Sequence, residues 1–173
     1  MLLKTEVVLD VKETGGSLHD KLAEAGARLC VETLKGLEAH AITPEKQGES
    51  PTEYARMLDK SLGKIDWTRP AEEIERLIRG LNPWPSAYTD WTGKTMKIWE
   101  AQVISQEEAK AAQQEAAKPG TVVKVEKDGF LVQTGKDLLK VCALQIPGKK
   151  RMDAGAFLRG YTMEAGVELG SEG

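Results

Sequence analysis

The residues of this chain best equipped for chemistry are its cations and its tryptophans, which offer contact with phosphate and with planar rings. Lys149, Lys150 and Arg151 stand together in "PGKKRM" at a Pro-Gly turn, and Lys94, Lys97, Arg79 and Arg159 are further candidates. Such groups neutralise backbone phosphates and position a nucleic acid without reading its bases. A solvated loop fits the same spacing. In "IRGLNPWPSAYTDW", residues 78–91, Trp84 sits between two prolines and is followed by Tyr88 and Trp91. A large ring so held is a rigid anchor. We therefore read Asp66, Trp67, Asn82, Pro83, Trp84 and Pro85 as a structural joint that packs a helix on the β-rich remainder. Base stacking by Trp84, Tyr88 or Trp91 is the alternative.

Catalytic chemistry finds little support. His19 and His40 have no companions at metal-ligand spacing, and no nucleophile elbow, P-loop or dinucleotide fingerprint occurs. Thr14-Gly15-Gly16 fits a plain turn before a helix, and Asp66 beside Trp67 fits a helix entry better than a general base. Cys30 and Cys142 are far apart and read as small buried apolar residues. The expectation is no catalytic, cofactor-binding or metal-binding residue in this chain. The net charge is −3, all of it in residues 1–81, while residues 82–173 are neutral. That balance disfavours strong non-specific nucleic-acid binding but allows a local basic face. No apolar run is long enough to span a bilayer. The opening "MLLKTEVVLDV" lacks the basic flank and cleavage site of a signal peptide, so the expected setting is cytoplasmic, without a membrane partner.

The elements that must position these residues follow from periodicity. Residues 4–11 read as a strand. Ser17 caps a helix from Leu18 to Leu37, whose Leu18, Leu22, Ala25, Leu29 and Leu34 fall near one face. Pro44, Gly48 and Pro51 mark a linker, with a short helix over Thr52–Leu58. A second helix spans Pro70 to Leu81 with Ile74, Leu77, Ile78 and Leu81 as its apolar stripe, and Asn82-Pro83 stops it. Strands are expected over 94–104, 120–127, 130–135 and 137–146, with Asp128-Gly129 as a hairpin turn. The Ala/Gln/Glu-rich stretch 105–120 reads as a solvated helix or a loop. The fold class is α+β: a partial α/β strand-helix remnant and a linker, then a small OB-like, Greek-key β-barrel.

Several segments together resemble one family. "TGGSLHDKLAEAGARL", "KIDWTRPAEEIERLIRGLNPWPSAYT", "GKTMKIWEA", "PGTVV", "DGFLVQTG" and "LQIPGKKRM…FLRG" occur in the order and spacing of the C-terminal half of bacterial methionyl-tRNA formyltransferases. The resemblance implies an enzyme family that transfers a formyl group from 10-formyltetrahydrofolate, its co-substrate, to the methionyl amine of initiator tRNA. It implies residues 1–45 as the end of a Rossmann-like formyltransferase domain, 46–65 as a linker and 66–173 as the OB-like, tRNA-holding domain. The family's catalytic asparagine, histidine before Ser-Leu-Leu-Pro, and aspartate have no counterparts here. That aspartate precedes a Met-Leu-x-Lys stretch like Met1–Lys4, which implies a chain that starts downstream of the catalytic residues and is inactive alone. The partner implied is initiator methionyl-tRNA. Two other readings stand beside this one: a non-catalytic module that self-associates through its N-terminal segment, and the tail of a related sugar-nucleotide formyltransferase.

Overall fold

The structure, a computed structural model, describes residues 1–50, 52, 54–105 and 117–170. It divides into two compact units, Met1–Met57 and Leu58–Gly173.

The first unit holds one helix, α1 (Gly15–Glu38). It starts earlier than the Ser17 cap predicts. Thr14 is the N-cap, and Ser17 instead closes a reciprocal capping box: Ser17 N donates to Thr14 Oγ1 at 3.1 Å and Thr14 N donates to Ser17 Oγ at 3.0 Å. Two otherwise orphaned amides are thereby satisfied at once. No residue of α1 is buried, and within its predicted apolar stripe Leu22 is 51% and Leu34 62% exposed. Cys30, expected inside, is exposed for the same reason, and Cys142 is half-buried. The strand expected over 4–11 does not form; residues 1–10 are irregular. A strand exists only where a neighbour takes its ladder bonds, and the described residues of this unit supply none. The helix expected over 52–58 falls partly on Glu53, which like Pro51 lies outside the described residues, while 54–58 are irregular.

The second unit opens with a 3₁₀ turn, Lys60–Gly63, capped by Asp59, which accepts from Ser61 N at 2.8 Å. Helix α2 (Ala71–Gly80) follows, with Pro70 as its N-cap and Glu72 and Glu73 at the positive end of its dipole. It buries Ala71, Ile74 and Ile78, successive turns of one face. Then come β1 (Ala87–Trp91), β2 (Lys94–Ile104), β3 (Val122–Val125), β4 (Phe130–Gln133), β5 (Leu138–Gln145), β6 (Met152–Asp153) and α3 (Ala154–Gly160). Of these, β1, β6 and α3 were not anticipated from sequence. The strands form one antiparallel sheet in the order β1-β2-β5-β4-β3, with β6 also paired to β5. The hairpin between β3 and β4 turns at Lys127-Asp128 rather than Asp128-Gly129, because Glu126 N donates to Gly129 O at 2.8 Å.

The two edge strands do not remain bare. Val122 N and Gly166 N exchange bonds with Val167 O and Val122 O, and Leu169 N donates to Gly120 O, all at 2.8 Å. One residue on, Gly170 N donates to Asp90 O of β1 at 2.8 Å. The segment 166–170 thus bonds to both outer strands, at Val122 of β3 and Asp90 of β1, and closes the sheet in the manner of a barrel. Trp67 lies under this closure, 5% exposed, with its Nε1–H donated to Thr89 Oγ1 at 3.0 Å. A Cβ on Gly120 would stand 2.7 Å from Leu169 O and 3.4 Å from Trp67 Cδ1, so glycine there is a requirement of the close approach. Inside, α2 packs on Met96, Ile98, Phe130, Val132, Leu139, Val141 and Leu144 in one core. At the far end Trp91, Phe157 and Tyr161 form an aromatic cluster, with centroids 5.0 Å apart for Trp91–Phe157 and Phe157–Tyr161.

Candidate nucleic-acid interface

The two tryptophans read as a joint lie in different surroundings. Trp67 is buried, whereas Trp84 is 56% exposed, so the ring between the prolines is not the anchor expected. The peptide bonds before Pro83 and Pro85 are both cis. Leu81 and Ser86, on either side of this turn, take the buried positions instead. Asp66 is spent on its own turn: its Oδ1 accepts from Thr68 N at 3.0 Å and Thr68 Oγ1 at 2.6 Å, which holds its carboxyl below the usual range. Trp91 is core, not a stacking platform.

Helix α2 ends just before Asn82-Pro83, as expected, and Asn82 also has a long-range partner. Its Nδ2 donates to the carbonyl of Trp99 at 3.4 Å. Trp99 is the extra residue of a β-bulge: Ile98 faces Leu144 and Glu100 faces Ala143, so two residues of β2 oppose one step of β5. A bulge leaves its extra residue outside the ladder and re-aims its side chain. The partner strand then makes the opposite adjustment at Cys142, which restores register by Ala101↔Val141.

Around the half-buried Trp99 ring the cations gather. Lys97 Nζ lies 5.7 Å from its centroid and the Arg151 guanidinium carbon 5.6 Å, within the range of cation–π attraction. The ring itself is fixed: Trp99 Nε1 donates to Gln145 Oε1 at 3.2 Å, and Gln145 Nε2 donates to the Lys149 carbonyl at 2.8 Å. One glutamine therefore ties the indole to the basic loop. Lys149 N also donates to Ile146 O at 3.1 Å, closing the turn at Gly148, whose φ is +73°. Lys149 and Lys150 are exposed, and Glu100 lies 4.0 Å from Arg151. Beside them a cavity of about 140 Å³ is lined by Thr95, Lys97, Gln145, Ile146, Pro147 and Gly148.

The structure thus brings the side chains of Lys97 and Arg151 to one ring and ties the backbone of Lys149 to the same site, with Lys150 next in the chain. It does not join the others to them. Arg79 is half-buried on α2 and donates from Nε to Glu75 Oε1 at 2.7 Å, which makes it a poor phosphate ligand. Lys94 is exposed at the Thr92-Gly93 hairpin, on the opposite side of β2 from Lys97 by strand alternation. Arg159 is exposed at the end of α3. The larger groove along α2, about 710 Å³, carries Arg69 and Arg76, both paired with glutamates four residues away. Trp99 and Gln145 escaped the sequence reading. A signal for the first existed: Met96, Ile98 and Ala101 face inward at spacings of two and then three, the mark of a bulge. Among the described residues no cluster of His, Cys, Asp and Glu could hold a metal ion, and no helix is long and apolar enough to cross a membrane.

Residues 57–162 match the family described as formyl transferase, C-terminal domain. The chain is 54% identical over 170 residues to the methionyl-tRNA formyltransferase of Lachnospira eligens, covering 98% of this chain and 53% of that protein. It is 45% identical over 169 residues to that of Clostridium perfringens, covering 98% and 52%. The chain spans about half the length of the curated relatives it matches. Among solved structures it is similar to HypX from Aquifex aeolicus in complex with tetrahydrofolic acid, with a TM-score of 0.57 at 16% identity, over 87% of this chain and 26% of that one. At that identity the likeness is one of fold.

Proposed function

The chain belongs to the formyl transferase C-terminal domain family, and from that premise we propose that it is the tRNA-holding portion of a methionyl-tRNA formyltransferase. The whole protein would move a formyl group from 10-formyltetrahydrofolate to the methionyl amine of initiator tRNA. The amine attacks the formyl carbon, and the folate nitrogen leaves. In this reading the chain's own part is electrostatic: Lys97, Lys149, Lys150 and Arg151 meet backbone phosphates, and the reacting groups are held by catalytic residues that have no counterpart in its sequence. The observation that carries the reading is the meeting of Lys97 and Arg151 at Trp99, beside the exposed Lys149-Lys150 loop, on a protein whose net charge is −3. Concentrating positive charge on one face of an acidic protein attracts a polyanion in a defined orientation.

The test is binding of an initiator tRNA transcript at several salt concentrations. Replacing Lys149 and Lys150 together by Ala should weaken binding and lower the slope of log affinity against log salt by about two, one for each phosphate that is no longer neutralised. An unchanged affinity and slope would remove the basic loop from tRNA binding. The purified chain, supplied with 10-formyltetrahydrofolate and charged tRNA, should give no formylated product; turnover would overturn the division of labour. Self-association through residues 1–45 is the second reading, supported by the exposure of Leu22, Val31, Leu34 and Leu37. Light scattering decides it, since a monodisperse monomer excludes it.

A further inference from the structure

The tRNA-holding reading leaves Trp99 without a role, and the geometry around it supplies one. We propose that Trp99 is a positioning residue for phosphate binding: it orders the cations rather than touching the RNA. Lys and Arg side chains are long, and fixing each one against a phosphate costs rotamer entropy at the moment of binding. Here the order exists beforehand. Lys97 and Arg151 lie within 5.7 Å of the same ring centroid, and the residue that carries it is held at three points, two on its backbone and one on the ring. The bulge aims it, Asn82 engages its backbone carbonyl, and Gln145 accepts its Nε1–H. Through its second bond Gln145 extends the constraint to the backbone of Lys149. A residue built to stack an unpaired base needs an open ring face; this ring is half-buried and already engaged by two cations. The unit formed is a pair of positive charges, those of Lys97 and Arg151, held against one ring beside the anchored backbone of Lys149.

This inference rests on the tRNA-binding reading, and the two fail differently. A phosphate ligand and a positioning residue are told apart by salt. Removing a ligand lowers the salt slope by about one; removing the residue that orders it leaves the charge in place, so affinity falls while the slope holds. Trp99→Leu should therefore weaken binding of the initiator tRNA transcript on the order of three- to tenfold with an unchanged slope, and Trp99→Phe, which keeps a ring, should recover most of that affinity. Lys97→Ala should lower the slope. Should Trp99→Leu not fold, Gln145→Met frees the ring and the loop without deleting either, and should weaken binding about two- to fivefold at constant slope. Full affinity in a folded Trp99→Leu, or in Gln145→Met if only that variant folds, overturns the proposal. So does a fall in affinity for the transcript's unpaired 3′ segment alone, which would make Trp99 a stacking residue. If the parent chain does not bind the transcript in a salt-dependent way, or if neither Lys97→Ala nor the Lys149/Lys150 double variant lowers the slope, the tRNA-binding reading itself has failed.

Discussion

The side-chain amide of Asn82, at the end of α2, reaches the backbone carbonyl of Trp99 in the middle of β2, 17 residues on. That hydrogen bond links the turn most conspicuous in the sequence to the residue around which the cations gather. Asn82→Ala should cost about 0.5–1 kcal/mol, the worth of one partly exposed hydrogen bond. Urea denaturation measures it. If Asn82 steadies the bulge, tRNA affinity falls in the same variant, at unchanged salt slope.

The two tryptophans of the joint should part company on substitution. Trp67→Phe deletes the partner of Thr89 Oγ1, a hydroxyl in a residue only 1% exposed, and leaves space under the barrel closure. A cost of about 2–4 kcal/mol follows from the unsatisfied group and the cavity together. Trp84→Ala, on a ring more than half in solvent, should stay within about 1 kcal/mol. Equal destabilisation in parallel denaturation curves would contradict this division.

Gly135 is held by space, not by flexibility. A Cβ there would stand 1.8 Å from Thr68 O, while its own N–H donates to Trp67 O and Arg69 O, both at 3.0 Å. Gly135→Ala should displace the turn into α2 and cost about 2 kcal/mol or more. Gly26→Ala, on an open face of α1 with nothing within 4 Å, should instead raise helix content, since alanine is favoured over glycine by about 1 kcal/mol in a helix. Circular dichroism and thermal unfolding separate the two.

The first unit should respond to acid through Glu13. Its carboxylate accepts from Lys21 Nζ at 2.5 Å, and also from Ser17 Oγ and Asp10 N. These bonds, led by that of Lys21, lower its pKa from 4.5 to about 2. A folded pKa below the unfolded one means stability that is present above pH 4.5 and lost as pH falls toward 2. Amides at the start of α1 should exchange faster across that window, and Glu13→Gln should flatten the change. A pH-independent opening of these amides in the parent chain, after correction for intrinsic exchange, would show that the cluster does not hold the helix start.

What could be read from the sequence was local. The stripe of Ile74, Leu77 and Ile78 specified α2, apolar runs marked β2 and β5, and the string from "KIDW" to "LQIPGKKRM" identified the family, because each signal is complete within a few residues or in their order along the chain. The basic loop was visible for the same reason. Tertiary structure alone decided the rest. Trp84 is left in solvent because Leu81 and Ser86, on either side of the turn, are the residues that it buries. The barrel closes through Gly170 and Asp90, about 80 residues apart, which no local propensity encodes. Trp99 lies where β2 and β5 pair out of step between Ile98 and Glu100, and there it meets Gln145 and Arg151 from a distant stretch of chain. Register, edge closure and the meeting of charges are properties of pairs, and a chain specifies them only once it has folded.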